Sequence, residues 1–193
     1  MNQARYTTAP EFRDYLGRVE RNRDLWAAVY RKGQIPQEVR AEGEALVSRP
    51  LHLLALSEDW CGDAVNTLPL VARFAEVISH LHFRVLGRDD NPDLMDGHLT
   101  EGVSRSIPVV ILYDGSFREL GWWGPRPGPL QRWVRREGIH LPPEERYREV
   151  RRWYARDRGL TTLRELLELI RAGAEGGRDP AAGGDPGTQV AVS

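Results

Sequence analysis

The residues Leu51 to Leu56, written LHLLAL, form a short and nearly unbroken apolar run between Pro50 and the acidic pair Glu58 and Asp59. The run is shorter than a stable helix and does not alternate with polar residues, so it suits a strand buried on both faces. Such a strand sits inside layers, and the following segments supply them. Leu68, Leu70, Val71, Phe74, Val77 and Ile78 recur at helical spacing and predict a helix beginning near Cys61. His82 to Leu86 reads as a second strand. Asn91-Pro92 opens a short helix, with asparagine at the cap and proline at the first helical position. Pro108 to Tyr113 reads as a third strand, Asp114-Gly115 as a tight hairpin turn and Phe117 to Trp122 as a fourth strand. A helix follows from about Pro129 to Glu137. The order is β-α-β-α-β-β-α. Two strands joined through a helix are parallel with a right-handed crossover, whereas the last two form a hairpin. The expected architecture is an α/β three-layer sandwich around a mixed four-stranded sheet.

Helical segments flank this unit. Thr8-Ala9-Pro10-Glu11 reads as a capping box. Phe12, Tyr15, Leu16, Val19, Trp26, Val29 and Tyr30 then predict one helix ending at Gly33, and a weaker helix follows from Pro36 to about Val47. Residues 1–50 are therefore an N-terminal helical extension and residues 51–139 the α/β domain. Residues 140–172 hold two further helices. One starts at Pro142-Pro143 and buries Tyr147, Val150 and Tyr154; the other follows a second capping box, Thr162 to Glu165, and buries Leu166, Leu167 and Ile170. Residues 173–193, rich in Gly, Ala, Asp and Pro, show no apolar pattern and read as a disordered tail.

Bulk properties exclude several classes. The 193 residues are 40% hydrophobic and 28% charged with net charge -1, which is ordinary for a globular domain and demands neither nucleic acid nor membrane as partner. Residues 126–158 do hold ten arginines against five acids. Without a nucleic-acid-binding motif, that excess reads as a solvated helix face with pairs such as Glu144–Arg148. The start lacks an apolar signal core, and no run approaches the roughly 18 apolar residues of a membrane span, so the expectation is a cytoplasmic protein. His80-Leu81-His82 lacks the ligand spacing of a zinc site, and neither metal nor cofactor is expected. Nothing in the pattern fixes an oligomeric state. One cysteine, Cys61, excludes an internal disulfide.

The surroundings of that cysteine carry a resemblance. Trp60-Cys61-Gly62-Asp63-Ala64 follows the first strand and opens a helix, and it resembles the W-C-G-P-C active site of thioredoxins with two departures. Ser106-Ile107-Pro108 matches the place where thioredoxins carry a cis-proline facing the cysteine. The chain is more similar still to bacterial thioredoxin-like proteins with W-C-G-D-A or W-C-G-D-C motifs and added N-terminal helices, in which R-S-I-P (here Arg105 to Pro108) and W-G-P-R (here Trp123 to Arg126) also occur. The resemblance spans roughly residues 50 to 139. It implies a thioredoxin-like fold with Cys61 as the reactive thiol. It also implies a partner's backbone held by Ile107 and Pro108, and apolar contact from Trp60 and Trp123.

The chemistry also follows from the residues. A cysteine in the first turn of a helix faces unpaired N–H groups and the positive end of the dipole, which favours thiolate. Glu58, Asp59 and Asp63 oppose this, so only a modest depression of the Cys61 pKa is expected. Their acidic rim also argues against docking of an anionic thiol such as glutathione, unless Arg105 turns toward Cys61. Ala64 stands where a second cysteine would resolve a mixed disulfide, so this chain alone completes no dithiol cycle. The leading expectation is a monothiol oxidoreductase that exchanges with a protein or small-molecule thiol or disulfide, or is reversibly oxidised. The alternatives are a non-catalytic peptide- or protein-binding module and a scaffold that works through its terminal helices.

Overall fold

A computed structural model describes Met1 and residues 3–176. The apolar run becomes strand β1 (Leu51–Ser57). It lies in the interior of a four-stranded sheet with β2 (Leu81–Gly87), β3 (Val109–Asp114) and β4 (Glu119–Trp123), in the spatial order β2-β1-β3-β4. β1 pairs parallel to β2, Leu53 opposite Phe83, and antiparallel to β3, Leu53 opposite Leu112. β3 and β4 form the antiparallel hairpin, with a bulge at Leu112/Tyr113. Its turn is longer than Asp114-Gly115 alone. The Asp114 carboxylate accepts from the Ser116 and Arg118 amides, and Phe117 takes a left-handed backbone with φ 64°.

Helix α5 (Gly62–Val77) makes the crossover between β1 and β2. The first C-terminal element, α7 (Gly128–Arg136), leads into α8 (Pro143–Asp157) and α9 (Leu160–Gly176). α5 and α9 pack on each other and against β2 and β4, covering one face of the sheet. The opposite face receives α6 (Pro92–Asp96) and α1 (Gln3–Thr8). His98, just beyond α6, meets the Trp122 ring edge-on at 5.8 Å, and the Tyr6 hydroxyl of α1 donates to the Leu53 carbonyl. The three-layer α/β sandwich is thus present, with helices added at both ends.

The first of the two helices expected in the N-terminal extension does not form as one piece. It is broken into α2 (Phe12–Arg18) and α3 (Arg23–Lys32), followed by α4 (Gln37–Leu46). The break has a partner. The amides of Glu20 and Arg21, freed from helical bonding, both donate to one oxygen of Asp59, at 3.0 and 2.9 Å. Neither capping box forms. Thr8 Oγ1 donates to the Arg5 carbonyl inside α1, and Glu11 caps α2 without a side-chain bond. At the other box, Thr162 and Glu165 lie inside α9, whose first-turn amide at Thr161 is bonded by Asp157. α9 also runs to Gly176, past the expected end at residue 172, because Gly173 packs closely on Leu120 and Leu112. The rest of the expected tail, residues 177–193, lies outside the described residues. In α8 only Tyr154 of the expected trio is buried; Tyr147 is exposed and Val150 half-buried. The Glu144–Arg148 pair does not form, since Arg148 turns to Glu149.

Candidate active site around Cys61

β1 ends at Ser57, and four residues later Cys61 forms the N-cap of α5. The cap has extended backbone (φ -75°, ψ 116°), which aims the sulfur back over the first turn, where Sγ accepts from the Ala64 amide at 3.4 Å. On its other side the thiol donates to the Ile107 carbonyl at 3.3 Å. The Ile107–Pro108 peptide is cis, as the resemblance implied. Ile107 precedes β3, and its own N–H has no backbone partner among the described residues. A second cis bond, Gly124–Pro125, lies alongside. Gly124 has φ 138°, and a Cβ there would fall on the Pro108 carbonyl, so only glycine lets these two proline turns touch.

Cys61 is only 6% exposed. Burial pushes its pKa above the ordinary thiol value, while the Ala64 amide and the Arg126 charge pull it down and the Asp63 charge pushes it further up. The direction is opposite to the modest depression expected from helix placement. The reason is that hydrogen bonds from the Ala64 and Asp63 amides at the helix start do not offset loss of solvent around a thiolate. A thiol that donates to a carbonyl is also the protonated form.

The three carboxylates expected to crowd the thiol separate into two kinds. Glu58 accepts from the Asp89 amide and Asp59 from the Glu20 and Arg21 amides, so both serve as backbone anchors. The Trp26 indole donates to the Asp59 carbonyl at 3.0 Å and fastens the same loop to α3. Asp63 alone belongs to the thiol's surroundings. Its carboxylate is 8% exposed, pairs with Arg126 at 2.6 Å and accepts from the Tyr154 hydroxyl at 2.9 Å. Burial raises the Asp63 pKa, opposed by Arg126 and Tyr154. Arg105 does not turn to Cys61. Its guanidinium grips Asp96 through two bonds of 2.7 Å.

The tryptophans also divide. Trp60 is 44% exposed, with the Arg88 guanidinium 5.2 Å from its ring centre. Trp123 is not an exposed lip; it is 5% exposed, and its indole donates to Glu165 at 2.6 Å. Glu165 also accepts from the Gly128 amide, joining α9, β4 and the start of α7. Trp122 is buried too, because β4 is covered on both faces. A cleft of about 660 Å³ opens beside Trp60, Cys61, Gly62, Asp63 and Ile107. Space around Gly62 is open, whereas Ala64 is fully buried beneath the sulfur. Arg126, Tyr154 and Glu165 were missed as site residues. Arg126 stood within the W-G-P-R segment, Tyr154 within a core pattern and Glu165 within an apparent capping box; no local signal links any of them to Cys61.

Among the described residues no group of three or more His, Cys, Asp or Glu side chains could hold a metal ion. His82 instead stacks on His52 at 5.3 Å. No described helix is long and apolar enough to cross a membrane.

A family model described as thioredoxin matches residues 9–148. No curated protein matches the chain. Two solved structures share the fold. One is a protein of unknown function, PA1234, from Pseudomonas aeruginosa, with TM-score 0.70 and 17% identity, covering 92% of this chain and 99% of that one. The other is an HIV 4E10 epitope scaffold with TM-score 0.67 and 15% identity, covering 88% of this chain and 98% of that one. At these identities the likeness speaks for the fold and the added helices alone.

Proposed function

The chain belongs to the thioredoxin family, and from that premise we propose that it is a monothiol protein in which Cys61 undergoes thiol–disulfide exchange and an external thiol takes the role of the absent second cysteine. The observation that carries this reading is the position of Cys61. Its sulfur caps α5, faces the carbonyl before a cis-proline and borders an open cleft.

Exchange begins when the thiol loses its proton and its bond to Ile107. The thiolate attacks a disulfide R–S–S–R; one S–S bond breaks, a Cys61–S–S–R bond forms, and R–S⁻ leaves. The Ala64 and Asp63 amides and the Arg126 charge are the groups that favour the thiolate. Ala64 supplies no nucleophile, so the adduct persists until a second thiolate attacks it and restores Cys61. The unpaired Ile107 amide offers a hydrogen bond to an extended partner. The burial of Cys61 makes this a slow thiol at neutral pH, faster as pH rises.

The test is mixed-disulfide accumulation. Reduced protein incubated with a small disulfide should gain one adduct by mass. It should keep that adduct without added thiol and lose it when thiol is supplied, and Cys61→Ser should gain none. Turnover without added thiol, or no adduct above pH 9, would defeat the reading. One observation favours a second reading, a peptide-binding module without redox chemistry: the thiol is buried and held protonated. Peptide capture that survives Cys61→Ser but not alteration of Ile107 and Pro108 would favour it.

A further inference from the structure

The wall of the cleft beside Cys61 has a sign. Five arginines line it: Arg88, Arg105, Arg126, Arg146 and Arg151. The one carboxylate among the lining residues is Asp63, already paired with Arg126. Arg88 and Arg105 are matched by Asp89 and Asp96. Arg146 and Arg151 make no ion pair among the described residues. They line the cleft from α8 together with Tyr147 and Val150, Arg146 neighbouring Val150 and Tyr147 neighbouring Arg151 four positions on. Glu149, which lies between them in sequence, pairs with Arg148 and Arg152 instead. Part of the arginine excess that reads as a solvated face therefore lines the cleft that the thiol borders. Apolar surface from Trp60, Val65 and Tyr147 lies between the charges.

We infer that this cleft binds a small thiol, or its disulfide, carrying two carboxylates, with Arg146 and Arg151 holding the carboxylates while its sulfur lies at Cys61. This inference rests on the exchange reading above and names the class of its external thiol. Two cations without an ion-pair partner among the described residues, Arg146 lying over the Tyr147 ring at 5.5 Å, concentrate a dianion at the rim of the cleft where a neutral molecule gains nothing. The arrangement also reverses the expectation that an acidic rim repels anionic thiols, because Glu58 and Asp59 are bound to backbone amides elsewhere. In the reaction, thiolate Cys61 takes one sulfur of the dianionic disulfide and its other half leaves as thiolate. The reduced form of the same compound then releases Cys61 by the reverse attack, so no other oxidant or reductant is consumed.

The test compares two disulfide probes on the full chain, 5,5′-dithiobis(2-nitrobenzoate), a dianion, and 4,4′-dithiodipyridine, which is neutral. The ratio of their rates, divided by the same ratio for an unstructured cysteine peptide, should be about tenfold at low salt and should fall toward one as salt rises from about 0.02 to about 0.3 M. Arg146→Gln with Arg151→Gln should bring the ratio to one while the rate with the neutral probe stays within about twofold of wild type. A separate measurement on Cys61→Ser follows binding of oxidised glutathione by calorimetry. Saturable binding is expected, and the two arginine substitutions should abolish it. A fast neutral probe with no preference for the dianion, and no glutathione binding, would overturn the anion site and leave exchange standing. Glutathione binding by Cys61→Ser, with neither probe reacting in the wild type, would retain the site as an anion pocket and overturn exchange.

Discussion

The helices that precede β1 and the helices that follow β4 both reach the Cys61 loop, and they hold it by different chemistry. The N-terminal set works through backbone and apolar contacts. Trp26, wholly buried, donates to the Asp59 carbonyl, and the break between α2 and α3 presents two amides to the Asp59 side chain. The charges that bear on the thiol, Asp63 and Arg126, lie outside this set. The C-terminal set works through charge and polar bonds. Tyr154 binds Asp63, Glu165 binds Trp123 and Gly128, and Arg146 and Arg151 face the cleft. One extension fixes where the loop sits; the other fixes what the thiol experiences there.

Trp26→Ala is the severest challenge to this division. Loss of a fully buried indole should cost about 3–5 kcal/mol, read as a lower denaturant midpoint. In the folded protein the thiolate midpoint, followed by absorbance near 240 nm, should not move. A shift there would mean that the N-terminal helices also set the chemistry.

Arg126→Gln should show the reverse balance. It leaves Asp63 buried with Tyr154 as its remaining partner, at a cost of about 3 kcal/mol. Unlike Trp26→Ala, it should also raise the Cys61 pKa, because Arg126 is the cation that favours the thiolate. Slower alkylation at a fixed pH near 9 is the readout.

Tyr154→Phe removes one hydrogen bond to a carboxylate and should cost about 2 kcal/mol in chemical denaturation. An unchanged stability would mean that Arg126 alone satisfies Asp63.

The smallest effect is in pH dependence. A thiol with a folded pKa above its unfolded value stabilises the fold below the unfolded pKa, about 8.5, and loses that contribution as pH rises through the folded value. Stability of the wild type should therefore fall more steeply above about pH 8.5 than that of Cys61→Ser. Parallel curves would show that Cys61 titrates alike in both states.

What could be read in the sequence follows the range of the interactions. β1, α5 and the β3–β4 hairpin were legible because apolar spacing and turn chemistry act within a few residues. The same holds for Cys61 at the head of α5. Its electrostatics were not legible. Glu58, Asp59 and Asp63 look alike within six positions, yet each finds a different partner, at Asp89, at Glu20 and Arg21, and at Arg126 and Tyr154. The second capping box failed for a related reason. The local pattern at Thr162 to Glu165 fits a helix start, but Asp157 already serves that end, and Glu165 is drawn to Trp123, 42 residues earlier. Strand alternation points Trp122 and Trp123 to opposite faces of the sheet, and a helical layer on each face buries both.

The bond between Tyr154 and Asp63 also has a meaning in time. It joins residues 91 positions apart, and synthesis runs from the N-terminus. At roughly 5–20 residues per second, Tyr154 is added about 5–18 s after Asp63. Over that interval β3, the Ile107 carbonyl, Arg126 and α8 are still being made, and Cys61 is an ordinary solvated thiol on an unfinished chain. Cys61 is therefore made well before the residues that wall it in, and its surroundings are complete only once α8 has joined Asp63.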